Sequence, residues 1–535
     1  MSSTTVPVLI VGGGPVGLAA SLFLAEHGIR SLLVERHSGT SIHPRARGIN
    51  FRTMELFREL GLEASIRAAG SELVANSGML IVETLVGTER ARIAMAEPFS
   101  SSQSTGAISP TSGCMCAQDQ LEPLLLASAQ RRGCEVYFNT ELVSFEQDLS
   151  GVTARVREIE SGQQQTIAAR YMIAADGPTS RIRQALGIPT SGRGSLGHQI
   201  NIYFAADLGD LVRGREFIIC QVENPKAAGL LLAVNNTNLW LFQLPYHPEQ
   251  GETAEDFPAE RCIDLLHKAI GVPGLPIEIK SMLPWEAAVR VADSFQQERV
   301  FLAGDAAHQM PPMGAFGMNT GIQDAQNLAW KLAAVIEDHA APALLSTYDV
   351  ERRPVARFTA EQAGMRSARS AMDPAAASRA GLADPLVITA GYQYRSHALL
   401  LEDETPLALD HLDLHGQPGR RAPHLWLERD GARLSTLDLF GSHWVLLAGE
   451  DGHNWYDAAQ KVAGHLGIGL DSYRCGSSGD LIDVDGRWCE RYGATPRGAV
   501  LVRPDGFVGW RSKDAEQQQE HTLEQVIHYL VCRSD

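Results

Sequence analysis

The sequence predicts an α/β protein built on a parallel, Rossmann-like sheet, with a mostly antiparallel sheet interleaved into it and a smaller C-terminal unit behind it. Three observations carry that prediction. The first forty residues alternate strand, glycine-rich turn, helix and strand, the order of a βαβ unit. Two further short apolar strands, ending at Asp176-Gly177 and at Gly304-Asp305, return to the same theme far down the chain. Between them, residues 190 to 283 switch to alternating polar and apolar positions, as in Asn201-Ile-Tyr-Phe-Ala205 and Leu239-Trp-Leu-Phe-Gln-Leu244, the period of antiparallel strands with two different faces.

In chain order, Val6 to Val11 is a β-branched apolar run. Gly12-Gly-Gly-Pro-Val-Gly17 follows, then an Ala/Leu-rich helix over Leu18 to His27 stopped by Gly28, then a strand over Ser31 to Val34 ending at Glu35. Tyr171 to Ala174 and Val300 to Leu302 read as buried strands. Pro311 to Gly321 is a glycine-rich loop entering a helix over Ala325 to Asp338. Residues 371–386, rich in Ala, Asp and Pro, suggest an irregular link. Beyond about 403, strands are expected at His443 to Ala448 and Ala499 to Val502. A turn at Arg503-Pro-Asp-Gly506 leads to Phe507 to Trp510, and an amphipathic helix covers Leu523 to Val531.

Composition excludes several classes of function. The 535 residues are 44% hydrophobic and 20% charged, ordinary for a globular protein and incompatible with disorder as the main description. Acids outnumber bases by 63 to 46, a net charge of −17 that disfavours nucleic acid and anionic membranes as partners. No stretch approaches the roughly 18 uninterrupted apolar residues of a membrane helix, and residues 1–29 hold no Lys or Arg to lead a secretory signal. Eight cysteines without a Cys-x-x-Cys read as thiols of a reducing cytoplasm, and no spacing suggests a metal site.

The chemistry begins at Gly12-x-Gly14-x-x-Gly17. Gly12 allows the tight turn, Gly14 lets backbone approach a pyrophosphate, and Gly17 lets helix and strand pack closely, with Pro15 and Val16 opening the helix. Glu35 stands where a ribose would sit and disfavours a 2′-phosphate, so the expected tenant is NAD or FAD. Asp305, at a strand end, suits a hydroxyl-bearing chain. The loop backbone at Gly317, Met318 and Asn319 suits the negative charge of a reduced flavin.

Taken with Asp176-Gly177 and the Pro311-Pro-Met-Gly314 continuation, these motifs resemble, in order and spacing, the class A flavoprotein aromatic hydroxylases, the family of para-hydroxybenzoate hydroxylase and phenol hydroxylase. His43-Pro-Arg-Ala-Arg-Gly48, Arg52-Thr-Met-Glu-Leu-Phe57 and Gly391-Tyr-Gln-Tyr-Arg-Ser396 resemble its aromatic polyketide branch. The resemblance implies an FAD-binding domain over 1–72, 101–184 and 284–372, and a substrate domain over 73–100 and 185–283. It further implies a linker over 373–402 and a thioredoxin-like domain over 403–535 that lacks Cys-x-x-Cys. It implies FAD along Gly12 to Gly17, Glu35 and Arg36, with Arg45, Gln118, Asp176 and Asp305 beside it, Arg181 assisting, and Pro312 steadying oxygen transfer through its carbonyl. The implied reaction uses NAD(P)H as transient reductant and O₂ as co-substrate. A flavin C4a-hydroperoxide then hydroxylates a bulky phenolic or polyketide-type ring in a dry pocket.

Tyr203, Phe242, Tyr246, His247, Trp285, Phe316 and Arg395 are candidates to meet that substrate, since a phenol reacts faster as its anion and a base or cation near it helps. Met310, Met313 and Met318 add apolar surface. A monooxygenase of simple phenols shares every motif. A flavin halogenase would need a Trp-x-Trp motif that is missing, and a non-catalytic flavoprotein is the remaining class. The expected assembly is a monomer or homodimer.

Overall fold

The computed structural model describes residues 3–70, 78–93, 106–367, 381–402, 406–413 and 415–533. Ser3–Val11 (β1) lies at the centre of an eight-stranded sheet, flanked in parallel by Ser31–Val34 on one side and Gln164–Ala174 on the other, with Val300–Leu302 parallel beyond. The helix Pro15–Glu26 (α1) crosses one face, and its residues Gly17 to Leu24 are buried. This is the βαβ unit expected from the first forty residues, with α1 starting three residues early because Pro15 takes the first helical position, where its missing N–H costs nothing.

The inserted sheet also has eight strands. Its long pair, Thr190–Ala205 and Glu278–Ala292, runs antiparallel, and Leu239–Tyr246, Gly229–Ala233 and Ile219–Val222 continue it. One neighbour breaks the rule: Met79–Val82, from an earlier excursion of the chain, pairs in parallel with Ile219–Val222. The outer face of this sheet packs Ile202, Phe204, Trp240 and Phe242 against the helix Ala259–Ile270, forming a core of its own. The inner face closes over the parallel domain.

The helix expected over Ala325 to Asp338 runs instead over Phe316–Ile336 (α2), nine residues earlier at its start. Glycine at 317 and 321 hid it, because glycine disfavours helix interiors. Gly321 is there for packing: a Cβ would lie 2.6 Å from Val16 and 2.9 Å from the Gly304 Cα. Thr347–Arg366 (α3) packs beside α2. Pro385–Ala390 forms a short helix, and Tyr392 and Tyr394 beyond it are buried. The C-terminal unit is a seven-stranded sheet centred on Trp444–Gly449, with parallel neighbours on one side and Ala499–Val502 and Val508–Ser512 antiparallel on the other. Helices His453–Leu466 and Gln519–Leu530 pack together beside it.

This unit meets the parallel domain along a seam of buried charge. Arg503 grips Glu351 with two N–H groups at 2.7 and 2.9 Å and also binds Asp505. Glu351 further accepts from Lys331, Asn327 and Ser396. Arg421 and Arg52 both pair with Glu55. Burial alone would raise the Glu351 carboxyl, yet Arg503 and Lys331 hold it well below the usual carboxylate range. Trp330 and Trp444 meet edge to face at 5.8 Å along the same seam.

Candidate functional site

A cleft of about 1810 Å³ lies between the carboxyl ends of the parallel strands and the inner face of the inserted sheet. Such a volume exceeds the roughly 300–1,000 Å³ of ordinary small-molecule sites, enough for a dinucleotide and a second ligand together. Its floor is laid down by the first turn. Gly12 has φ +113°, and a Cβ on it would stand 2.2 Å from the Ala175 carbonyl oxygen, while one on Gly17 would stand 1.9 Å from that of Gly12. Only glycine permits strand, turn and helix to close this tightly. Around Gly14 the nearest such atom is 4.0 Å away. The turn therefore leaves a cradle open to the cleft where backbone N–H groups and the start of α1 face a ligand.

Glu35 accepts from the Gly13 N–H at 2.5 Å and from the His37 N–H at 2.9 Å, which fixes its carboxylate at the end of the second strand. Arg36 and Arg45 are exposed and line the cleft without a carboxylate partner among the described residues. Gln118 lines it too and donates to Glu122 at 2.6 Å, and Glu122 accepts from the Ser41 N–H. Asp176 caps the helix Arg181–Ala185 through the Ile182 N–H, and its other carboxyl oxygen is buried without a partner. Burial pushes the Asp176 carboxyl up. Asp305 is open to the cleft yet set among protein atoms that push its carboxyl up as well, with His308 and Arg45 opposing. Its turn is pinned from behind by Asp324, which accepts from the Gly304 N–H and from His308 and pairs with Arg352.

At the far end, Pro312, Gly317, Met318 and Phe316 line the cleft with Met310 and Met313. The Pro312 carbonyl accepts the Ala315 N–H at 2.9 Å, and Ala315 sits at φ +54° to start α2. Gly317 and Met318 thus belong to the first turn of a helix, where N–H groups have no carbonyl four residues back. Asn319 does not line the cleft. Its side chain donates to the Gly48 carbonyl and accepts the Asn50 N–H, tying α2 to the strand Gly48–Ile49.

The substrate candidates separate by strand phase. Trp285 and Phe316 line the cleft, and the Trp285 indole N–H donates to Asn201 at 2.9 Å. Phe242 points to the outer face and is wholly buried in the second core, and Tyr246 packs there against Phe257. Tyr203 stands beside the cleft with its ring edge toward His43 at 6.0 Å. His247 is exposed and paired with Glu249, and Arg395 is exposed outside the cleft. The positions facing the cleft are Asn201, Leu241 and Gln243, with Ile219, Leu230 and Leu232 on the next strands. Asn201 and Gln243 sit opposite one another in register. Arg47 also reaches this wall, donating to the carbonyls of Ala233 and Ile218.

With this geometry in view, comparison with known proteins is direct. Residues 5–363 match the FAD binding domain family and residues 415–532 the aromatic-ring hydroxylase C-terminal family. The chain is 43% identical to tetracenomycin A2 monooxygenase-dioxygenase of Streptomyces glaucescens, covering 100% of this chain and 98% of that one. It is 37% identical to aklavinone 12-hydroxylase RdmE of Streptomyces purpurascens, covering all of both. Among solved structures, aklavinone-11 hydroxylase in complex with FAD and aklavinone superposes with a TM-score of 0.88 at 36% identity over the full length of both chains. The chain belongs to the FAD-dependent aromatic-ring hydroxylases. It is a flavin monooxygenase with FAD as cofactor, NAD(P)H as reductant and O₂ as co-substrate. No helix among the described residues is long and apolar enough to cross a membrane.

Proposed function

We propose that this chain hydroxylates a polycyclic phenolic substrate of the aromatic polyketide type. The observation that carries the reading is the cleft: one wall is a dinucleotide cradle and the facing wall is a broad, mostly apolar sheet. Tetracenomycin and aklavinone, named for the relatives, favour a polycyclic ring over a simple phenol.

The cradle fits FAD. Gly14, Pro15 and Val16 leave room for its pyrophosphate, Glu35 for a ribose, Arg45 for phosphate charge, and Gln118 and Asp305 for the ribityl chain. The N–H groups of Gly317 and Met318 suit the pyrimidine edge of its ring. Bound there and reduced by NAD(P)H, FAD supplies the activated oxygen. The remaining work falls to the chain. Ile219, Leu230, Leu232 and Leu241 keep water from the sheet wall, Asn201 fixes Trp285 as an aromatic edge, and Gln243 offers an amide to a ring oxygen. The Pro312 carbonyl, held by Ala315, presents a fixed dipole beside the reacting position.

In this reading the FAD domain comprises 1–72, 101–184 and 284–372, the substrate domain 73–100 and 185–283, the linker 373–402, and the tail 403–535. Eight unpaired thiols support a reducing, cytoplasmic setting for a monomer or homodimer. The test is NADPH oxidation by the holoenzyme with a tetracyclic hydroxyquinone. Substrate-stimulated oxidation should give a product heavier by one oxygen atom. Hydrogen peroxide as the sole product with every polycyclic phenol tried would defeat the reading.

A further inference from the structure

Arg47 is half-buried in the cleft wall, and its partners differ from those of the wholly buried arginines. Arg52 and Arg421 meet Glu55, Arg352 meets Asp324, Arg503 meets Glu351 and Asp505, and Arg420 approaches Asp413 at 3.6 Å. Arg47 has no carboxylate within 4.0 Å among the described residues; its partners are two neutral carbonyls, those of Ala233 and Ile218, the latter at 3.3 Å. A guanidinium carries five N–H donors, and two carbonyls leave some of them unspent. A cation partly withdrawn from water without a counter-charge gains from an anion that comes to it.

The placement says where that anion comes from. Arg47 lines the cleft, and its guanidinium sits against the sheet beside Ile219 and Leu232. Arg36 and Arg45 also line the cleft, so the phosphates have cations of their own. The Arg47 backbone is tightly fixed. It follows Ala46 at φ +44°, its carbonyl accepts the Cys116 N–H at 2.8 Å, and the next residues pair with Cys114–Met115. Burial pushes the guanidinium pKa down to about 10, which still leaves it charged near neutral pH.

We propose that Arg47 receives an ionised ring oxygen of the substrate, a phenolate or the enolate of a hydroxyquinone, and so both selects and activates an acidic polycyclic phenol. The proposal rests on the hydroxylase reading above. The proton leaves the phenol for solvent, no bond to Arg47 forms, and the electron-rich anion is the better target for electrophilic oxygen.

The probe is alizarin, 1,2-dihydroxyanthraquinone, whose colour changes when its phenol ionises. Bound to the FAD-loaded wild-type enzyme, it should ionise at a proton concentration at least tenfold higher than free dye does. Arg47→Met should abolish that shift, Arg47→Lys should keep most of it, and FAD content should stay the same in all three. A role in tethering loop to sheet alone would lower stability without moving the colour change. An unchanged shift in Arg47→Met overturns the proposal, as does a wild-type enzyme that leaves the dye's ionisation unaltered. Should Arg47→Met not fold, the wild type still decides. Anthraquinone-2-carboxylate should bind at least tenfold tighter than anthraquinone, and equal affinities refute an anion site. Should 1,2-dimethoxyanthraquinone bind as tightly as alizarin and stimulate NADPH oxidation, the hydroxylase reading stands and Arg47 loses its role. Should no anthraquinone bind, both fall.

Discussion

Two regions of this molecule gather arginine, and they treat it in opposite ways. Along the seam with the C-terminal unit, every cation described above meets a carboxylate, and Glu351 alone accepts from Arg503, Lys331, Asn327 and Ser396. In the cleft, Arg36, Arg45 and Arg47 have no carboxylate partner among the described residues. A closed charge network holds two units in one arrangement and has nothing left to offer a ligand. An open set of guanidiniums, two of them exposed and Arg47 half-buried, is left to meet an incoming anion. Of the chain's 46 cationic residues 40 are Arg, so residue type alone cannot separate the two uses. The partners do.

The largest expected effect lies in the seam. Glu351→Gln strands Arg503 and Lys331 in a buried site and should cost about 3–5 kcal/mol in urea unfolding. Arg47→Met, which removes an uncompensated charge, should cost less than about 1 kcal/mol in the same measurement. Similar costs for both would erase the contrast between the regions.

In the cleft, Asp305→Asn keeps shape and removes charge. It should weaken FAD binding by roughly 1.5–3 kcal/mol, the worth of a hydrogen bond to a charged group, with the Kd read by reconstituting apoprotein. Undiminished affinity would remove Asp305 from the FAD site.

Glu59, beside the seam, offers a test by pH. Burial pushes its carboxyl up to about 8, with Arg52 opposing and Glu26 and Asp505 adding to the rise, and the tail's Gly441 packs on it. The folded protein therefore holds a proton that the unfolded chain releases near 4.5. That stabilisation is complete below about 4.5 and is lost as pH rises through about 8. Melting temperature should fall across this window in the wild type and stay flatter in Glu59→Gln.

The smallest effect concerns the substrate wall. Trp285→Phe removes the bond to Asn201 and should raise KM for a polycyclic substrate by about fivefold, a net hydrogen bond of about 1 kcal/mol, with flavin content unchanged.

Much of the parallel domain was legible because its signals are local. Gly12 to Gly17, Glu35 and the strand ends at Asp176 and Asp305 lie within short stretches, and the structure gathers Gly14, Glu35, Asp176 and Asp305 around one cleft. The substrate wall was legible only in part. Period-two alternation assigns Asn201, Leu241 and Gln243 to one face and Phe204 and Phe242 to the other, but both faces carry apolar residues. Choosing aromatic residues therefore led to Phe242 and Tyr246, on the wrong side. Asn319 read as part of a cofactor loop because the glycines around it masked the start of α2. The seam was not legible at all. Arg503 and Glu351 are 152 positions apart, and nothing local marks either as the other's partner.

The order of strands also bears on how the protein is made. β1 sits between strands from early and much later sequence, and its sheet gains Val300–Leu302 only after seven of the eight strands of the inserted sheet have passed. A ribosome adding about 5–20 residues per second reaches Leu302 roughly 15–60 s after starting. From the completion of Gln164–Ala174 until then, roughly 6–26 s at the same rate, Met172–Ala174 present an unfinished hydrogen-bonding edge, the kind that invites association with other chains. The C-terminal sheet, drawn from one continuous stretch, forms last and in one piece. Its arrival brings Arg503 to Glu351, so the two sheets are locked together only when synthesis is nearly over.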